Sequence, residues 1–248
     1  GAMGKGIAYQ CQFTPGVRCV GLADIDMGKA TQVATWLGYE PAVAGGASNR
    51  GKINGGNRIV ITEDAKQLAA SPEVDVFIDA TSSVSEAGQF CELALKNGKD
   101  VIMMNAEADL VFGPYFLELA QESGAVYTSS DGDQHGVIKR MVDEIRLWGF
   151  ELVMAGNIKG FLDRKANPVS IAPEAEKRRL DCRMTTAYTD GTKLCVEMSL
   201  LANALGLGIT TPGMTGPRLA DVREVPKVFD FSKLWETRKG IVDYILGA

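Results

Sequence analysis

The stretch Gly1-Ala2-Met3-Gly4-Lys5-Gly6 opens the chain, with Gly1 and Gly4 three residues apart. These two glycines fit the second and third positions of the G-x-G-x-x-G turn, which leads from a buried strand into a helix whose first N–H groups face a pyrophosphate. We therefore expect residues 1–4 to bind the pyrophosphate of a dinucleotide, and the first strand of the sheet to lie upstream of this sequence. The alternative is that Gly1-Ala2-Met3 is a remnant of cloning.

An acidic residue follows at the spacing that such a turn requires. A largely apolar run from Val17 to Ala23 ends at Asp24, about 20 residues beyond Gly4. A carboxylate at this position accepts hydrogen bonds from the adenosine ribose and repels a 2′-phosphate, so Asp24 favours NAD over NADP. The alternative is that Asp24 only caps the next helix, together with Asp26.

The composition is that of a globular protein. The chain has 248 residues, of which 46% are hydrophobic and 23% charged. A net charge of −5 without a basic stripe argues against a nucleic-acid partner, and no apolar run reaches the ~20 residues of a membrane span. Five cysteines without C-x-x-C spacing favour reduced thiols and a cytoplasmic location.

The single histidine, His135, offers no cluster of metal ligands, so we expect no metal site. Carboxylate-bound Mg²⁺ or Mn²⁺ stays an alternative. The expected partners are a small-molecule substrate and further copies of the chain in a homo-oligomer.

Strand-like and helix-like segments alternate through the first half of the chain, which predicts an α/β fold of the Rossmann type with a doubly wound parallel sheet. A polar, glycine-rich stretch at 45–56 predicts an insertion or a mobile loop over the cofactor. The predicted strands are 17–24, 59–62, 74–81, 100–105 and 125–129, and the predicted helices are 27–38, 63–70, 82–98, 113–124 and 135–148.

The pattern changes near Gly149 and predicts a second, antiparallel α+β domain that holds substrate. Its predicted elements are a strand at 150–155, a charged helix at 173–180, a β-hairpin of 183–188 against 192–198, and a helix at 200–205. No terminal helix or strand is evident at Gly247-Ala248, so we expect the domain to continue further. The predicted domains are therefore 1–148, a Rossmann domain without its first strand, and 149–248.

Six segments carry a family resemblance, and they are 76–81, 101–109 with Met-Asn-x-Glu-Ala-Asp, 113–115, 196–198, 201–204 and 213–218 with Gly-Met-x-Gly-Pro-Arg. They resemble one oxidoreductase family, which is related to homoserine dehydrogenase and includes a member like deoxyxylulose-phosphate reductoisomerase. The resemblance implies a nicotinamide cofactor and, in many members, a C-terminal SAF domain. Two features depart from the family pattern: the SAF region is absent from this sequence, and Asp24 stands where the reductoisomerase-like member has a non-acidic, Arg-containing pattern.

The resemblance also suggests residues beside the nicotinamide. Asn105 would hydrogen-bond the carboxamide or the substrate. Glu107 occupies the position of a lysine in homoserine dehydrogenases, so it either transfers a proton or only forms a salt bridge. Ala80 and Thr81, at the end of a predicted strand, are further candidate cofactor contacts.

The remaining candidates lie after residue 130. Lys159 follows the strand that enters the substrate domain and is the preferred acid or base, because desolvation would lower its pKa; the alternative is a surface lysine. Asp133 caps the next helix or positions substrate, and His135 binds substrate or is structural.

Hairpin alternation places Lys193 and Glu197 on one face, which forms either a polar substrate wall or a solvated sheet. Arg218 follows Gly216-Pro217 and is a candidate clamp for a phosphate or carboxylate.

Together these features predict an NAD(P)-dependent oxidoreductase, with NAD favoured, that acts on a hydroxyl or carbonyl of a small, polar, anionic metabolite. One alternative is an NADPH-dependent sugar-phosphate reductoisomerase, whose rearrangement would require a divalent metal. The other is a non-catalytic NAD-sensing module.

Overall fold

The computed structural model describes residues 1–45, 57–130, 132–237 and 239–247. Nearly all of the glycine-rich stretch predicted as a loop at 45–56 lies outside these residues. The chain divides into two compact units, 1–130 and 131–248. The helix that follows Asp133 thus groups with the second unit, whereas the sequence places the boundary after residue 148.

The first unit alternates strands and helices as predicted. Its strands form two parallel three-stranded sheets, ordered β1-β3-β2 and β4-β5-β6. Among the described residues, neither β1 nor β4 pairs with a further strand. The elements are α1 (Ala2–Cys11), β1 (Gly21–Ala23), α2 (Met27–Trp36), β2 (Glu40–Val43), β3 (Arg58–Thr62), α3 (Ala65–Ala69), β4 (Val76–Asp79), α4 (Val84–Lys96), β5 (Asp100–Met103), α5 (Ala106–Ser123) and β6 (Tyr127–Ser129).

This parallel α/β architecture confirms the predicted fold class. The apolar core lies where strand residues such as Phe77 and Val101 meet Cys91 of α4 and Phe116 of α5. These strands were recognisable from sequence because they are almost continuously apolar, although only alternate residues of β4 and β5 are buried. The strand β2 was not predicted.

The predicted start of α5 at Gly113-Pro114 is wrong. The helix begins at Ala106, where the side chain of Asn105 caps it, and Pro114 lies inside it. The cap residue precedes the proline by more than two helical turns. Interpreting Pro114 as the first turn of a helix was therefore misleading. The predicted stop at Gly124, in the left-handed conformation, is correct.

The second unit packs helices against a small parallel sheet, β7-β8. Its core joins Ala155 of β7, Val242 and Tyr244 of β8, and Leu194 and Met198 of α9. The elements are α6 (Gln134–Leu147), β7 (Met154–Lys159), α7 (Ala172–Arg178), α8 (Cys182–Asp190), α9 (Thr192–Leu205), a 3₁₀ turn (Val222–Glu224), α10 (Val225–Val228), α11 (Phe231–Glu236) and β8 (Ile241–Leu246).

The predicted β-hairpin is wrong, because 183–188 and 192–198 are the helices α8 and α9. Asp181 caps α8 by accepting a hydrogen bond from the Met184 N–H at 3.0 Å. Gly191, with φ 95°, makes the sharp turn between the helices that we interpreted as a hairpin turn. The buried Leu194, Met198 and Leu201 follow the helical period of three and four residues.

Three further predictions for this unit need correction. The strand begins at Met154 rather than at residue 150, the two strands are parallel rather than antiparallel, and the strand β8 precedes Gly247 where no element was expected. The segment 208–218 joins β8 through isolated parallel bridges from Gly208 and Arg218.

Candidate functional site

The first turn of α1 presents free main-chain donors. Gly1 occupies the N-cap position without a side-chain cap, and the first turn contains no acidic residue. The first helical hydrogen bond is accepted by the carbonyl of Gly1. The N–H groups of Ala2, Met3 and Gly4 are therefore unsatisfied within the helix, which is the arrangement that attracts a phosphate.

Asp24 lies next to this turn. It follows β1, and its Oδ2 is 3.6 Å from the main-chain nitrogen of Gly1. Its Oδ1 accepts a hydrogen bond from the Asp26 N–H at 3.0 Å. The N-cap of α2 is Asp26, which accepts from the Lys29 N–H at 3.2 Å. Of the two residues in the capping alternative, Asp26 is the cap, while Asp24 accepts a hydrogen bond from the N–H of that cap residue. The ribose-binding role of Asp24 stays a prediction.

The turn after β4 contacts the same helix. A Cβ atom added to Gly4 would lie 3.8 Å from the Cβ of Ala80, so the first turn of α1 runs close to this segment. Thr81 is exposed, and its hydroxyl lies 3.3 Å from the carbonyl oxygen of Ser83. Ala80 therefore lies beside the first turn of α1, and Thr81 follows it in the same turn after β4.

Asn105 connects this turn to the next strand. Its Oδ1 accepts from the Ala108 N–H at 3.1 Å, and its Nδ2 donates to the Ser83 carbonyl at 3.2 Å. Asn105 therefore connects the starts of α4 and α5. Its contact with a carboxamide or substrate stays a prediction. Glu107 is half-buried in the first turn of α5 and forms no ion pair with any described residue.

A carboxylate that we did not predict lies under the same turn. Asp79 ends β4, is 1% exposed, and accepts a hydrogen bond from the Thr81 hydroxyl at 3.3 Å. Burial raises the pKa of Asp79 to about 6, an effect that hydrogen bonds from Thr81 only partly offset. The signal was present in the sequence, because Asp79, like Asp24, ends an apolar run.

The second unit contains a buried ion pair. Nζ of Lys193 lies 3.3 Å from Oε1 of Glu197, and their side chains are 11% and 3% exposed. Burial opposes the charge on Lys193, but Asp133, Glu197 and Tyr188 outweigh it, so the pKa of Lys193 lies above its ordinary value. Lys193 is therefore a fixed cation at neutral pH.

Asp133 occupies the N-cap position of α6, but its side chain makes no capping hydrogen bond. It is instead one of the charges that favour protonated Lys193. His135 is buried in the first turn of α6. The structure thus groups Asp133 with Lys193 and Glu197, although the hairpin on which their shared face was predicted does not exist.

The carboxyl end of β7 lies near the junction of α8 and α9. The Asp163 N–H donates to the Thr189 carbonyl at 2.8 Å, which fixes the chain after β7 beside this junction. Strand alternation places Ala155, Asn157 and Lys159 on one face, and Ala155 belongs to the core that α9 completes. Asn157, which we did not predict, is buried, and its Nδ2 has no partner among the described residues.

Lys159 is half-buried at the end of β7, where its carbonyl accepts from the Gly247 N–H at 2.9 Å. Leu246 pairs with both Lys159 and Arg218. The two cationic residues are therefore separated by two strand spacings, roughly 10 Å. Arg218 is exposed and forms no ion pair with a described residue.

The Gly-Met-x-Gly-Pro-Arg segment has a clear structural role. The fully buried carboxylate of Asp243 accepts main-chain hydrogen bonds from Thr215 and Gly216 at 2.9–3.1 Å. Gly216 has φ 57°, and a Cβ atom there would lie 2.2 Å from the ring of Tyr244. This motif therefore attaches the segment before Arg218 to β8.

Within the described ranges, no group of three or more His, Cys, Asp or Glu side chains could hold a metal ion. A dinucleotide fits the first unit, because the free donors of α1 and the carboxylate of Asp24 match the chemistry of a pyrophosphate and a ribose. None of the helices in the described part of the chain is long and apolar enough to cross a membrane.

Comparisons with known proteins agree with this architecture. Residues 38–128 match the family model of the homoserine dehydrogenase NAD binding domain, and residues 132–248 match that of the oxidoreductase DRL catalytic domain. The resemblance predicted from sequence is confirmed. The chain is similar to NAD(P)-binding oxidoreductases of the dehydrogenase and reductoisomerase kind.

A curated relative is the 1-deoxy-D-xylulose 5-phosphate reductoisomerase of Methylococcus capsulatus. It is 30% identical over 145 residues, which are 57% of this chain and 36% of that protein. The chain therefore spans about a third of the length of the curated relatives it matches.

Two solved structures share the fold. A probable dehydrogenase from Thermotoga maritima has a TM-score of 0.57 at 11% identity, covering 100% of this chain and 67% of its own. The 1-deoxy-D-xylulose 5-phosphate reductoisomerase from Zymomonas mobilis, in complex with NADPH, has a TM-score of 0.52 at 12% identity and coverages of 83% and 55%. At these identities the likeness concerns the fold alone.

Proposed function

We propose that this chain is a nicotinamide-dependent oxidoreductase, with NAD favoured, that acts on a hydroxyl or carbonyl of a small anionic metabolite. The observation that carries the proposal is the uncapped first turn of α1 with Asp24 3.6 Å from its first nitrogen. Helix donors attract the pyrophosphate, and the carboxylate binds the ribose diol and disfavours a 2′-phosphate. The matched NAD binding domain supports the same cofactor class.

The second unit supplies the groups that the substrate needs. Lys193 is held protonated by Asp133 and Glu197 and donates hydrogen bonds to a polar group of the substrate, while the two carboxylates offset its charge. Lys159, at the open end of β7, gives or takes the proton of the reacting oxygen. Arg218 is an exposed second cation at the same end of the sheet. The bound nicotinamide supplies the hydride chemistry.

The cofactor assignment is tested by calorimetric titration of the full chain with NAD and NADP. We expect NAD to bind at least about tenfold more tightly, roughly 1.4 kcal/mol. Asp24→Asn should weaken NAD binding and reduce this preference. Asp26→Asn is the matched control, because Asn caps a helix as well as Asp does and the side chain of Asp26 serves α2.

Equal affinities, or tighter NADP, would contradict the NAD preference and leave the cofactor class intact. Failure of both dinucleotides to bind would contradict the proposed function itself.

A second candidate is a reductoisomerase of a sugar phosphate, favoured by the 30% identity to such an enzyme. The two candidates differ in their products, since a reductoisomerase rearranges the carbon skeleton and a simple dehydrogenase does not. Incubation with 1-deoxy-D-xylulose 5-phosphate and NADPH, with and without Mg²⁺, distinguishes them by mass spectrometry and NMR of the product.

A further inference from the structure

Asp79 is a buried carboxylate whose hydrogen bonds are incomplete. Phe77 and Asp79 lie on the same face of β4, and Phe77 belongs to the apolar core beneath α4 and α5. Oδ2 of Asp79 accepts from the Thr81 hydroxyl at 3.3 Å. Oδ1 is buried and has no hydrogen-bond partner among the described residues. An incompletely paired carboxylate in a core is costly and calls for an explanation.

The carboxylate holds a turn that contacts the candidate cofactor site. Thr81 is bonded to Asp79 below it and lies near the Ser83 carbonyl, which Asn105 also binds. Ala80, between Asp79 and Thr81, lies against Gly4 in the first turn of α1. The hydrogen bond to Asp79 thus helps to fix the conformation of this turn. That conformation in turn fixes the position of Ala80 against α1.

The charge on Asp79 destabilises the fold. Burial raises its pKa from the ordinary 3.8 to about 6. Because the folded value is the higher one, the protein loses stability as the pH rises from 3.8 to about 6. A neutral amide would keep the size of the side chain and avoid this loss, so stability does not explain the carboxylate.

The neighbours of Asp79 that interact with it most clearly do not change charge between pH 3.8 and about 6. Cys91 of α4 and Tyr127 of β6 interact with it, and burial raises the pKa of both, so they stay neutral below pH 8. Asp109 of α5 is bonded to the Tyr127 hydroxyl at 2.6 Å and is the other carboxylate nearby. The residue of β5 paired with Asp79 is Met103, which does not titrate.

We infer that ionised Asp79 is a positioning residue for the dinucleotide, holding the Ala80–Thr81 turn in the conformation that receives the cofactor at α1. The inference rests on the proposed function. Asp79 lies outside the proposed cofactor contacts and acts through the turn. Protonation of Asp79 releases the turn and weakens dinucleotide binding.

The test compares the wild-type chain with Asp79→Asn in titrations of NAD and NADP between pH 7.5 and 5.0. With a pKa near 6, about a tenth of Asp79 is ionised at pH 5, so the wild-type Kd should rise about tenfold over this range. Asp79→Asn should bind weakly throughout and lack this dependence, while melting at a higher temperature than wild type at pH 7.5. Asp75→Asn, an exposed carboxylate just before the same strand, is the control.

Asp79→Asn should weaken dinucleotide binding but raise the melting temperature, and these opposite effects make the outcomes distinguishable. Wild-type affinity in Asp79→Asn at every pH would overturn the inference and leave the proposed function standing. A variant that binds weakly and also melts at a lower temperature would overturn it too, because Asp79 would then be merely structural. If the wild type binds neither dinucleotide, the inference fails together with the proposed function.

Discussion

Lys99 shows how this chain accommodates a buried charge. The residue is 5% exposed, and its Nζ donates to the carbonyl oxygens of Ser71 at 2.6 Å and Val74 at 2.8 Å. These bonds fix the loop that leads into β4, and thus the strand that ends at Asp79. Oδ1 of Asp79 has no hydrogen-bond partner among the described residues, whereas Nζ of Lys99 donates two hydrogen bonds. The role of Lys99 is therefore structural.

Lys99→Met keeps the length and the apolar stem of the side chain but removes its hydrogen bonds to two main-chain carbonyls, of which the buried Val74 carbonyl loses its side-chain donor and the Ser71 carbonyl keeps the Val74 N–H. We expect the free energy of unfolding to fall by about 2 kcal/mol or more, measured by urea denaturation. Lys96→Met is the control, because it removes only an exposed pair with Glu92 and should change stability by less than about 0.5 kcal/mol. Equal effects of the two substitutions would contradict the structural role of Lys99.

At the scale of elements, the sequence patterns correctly predicted the strands that are almost continuously apolar. The strands β4 and β5 lie within the predicted runs because these runs are almost continuously apolar, although only alternate strand residues are buried. The helix α9 was misread because Lys193, Cys195 and Glu197 alternate with apolar residues as in a strand, while Leu194, Met198 and Leu201 carry the helical period. A six-residue window around Gly191 cannot separate these two readings, since only the longer apolar repeat identifies the helix.

The pairing of β7 with β8 depends on one glycine. A Cβ atom on Gly156 would lie 2.2 Å from the carbonyl oxygen of Asp243, so one strand would have to move. Gly156→Ala should therefore lower the free energy of unfolding by at least about 2 kcal/mol in urea denaturation. Gly160→Ala serves as the control, because a Cβ atom there meets nothing within 4 Å. A stable Gly156→Ala variant would mean that the strands are paired differently.

At the scale of the whole molecule, the sequence predicted the α/β fold class better than the buried polar residues near the candidate site. Asp24 was a candidate because a ribose-binding acid has a characteristic spacing from the glycine turn, and its role stays a prediction. Asp79 and Asn157 were missed. Asp79 ends an apolar run as Asp24 does, but it has no characteristic spacing from the glycine turn that would single it out. Asn157 lies inside a strand, where one sequence does not show that its side chain is buried. The partnership of Asp133 with Lys193 depends on tertiary packing of α6 on α9, which no local pattern encodes.

The proposed function assigns the cofactor to the first unit and proton transfer to the second. The candidate cofactor residues all lie within 1–130, and Lys159 lies in the second unit at the end of β7. Lys159→Met should therefore lower kcat by about 10² or more and leave the Kd for dinucleotide nearly unchanged. The measurement needs a substrate from a metabolite screen with NAD and NADP, followed by steady-state kinetics and calorimetry on both proteins. Lys165→Met, an exposed lysine in the loop after β7, is the control and should keep wild-type turnover. Near-normal turnover in Lys159→Met would exclude Lys159 as the proton-transfer group and leave Lys193 as the cation to examine next.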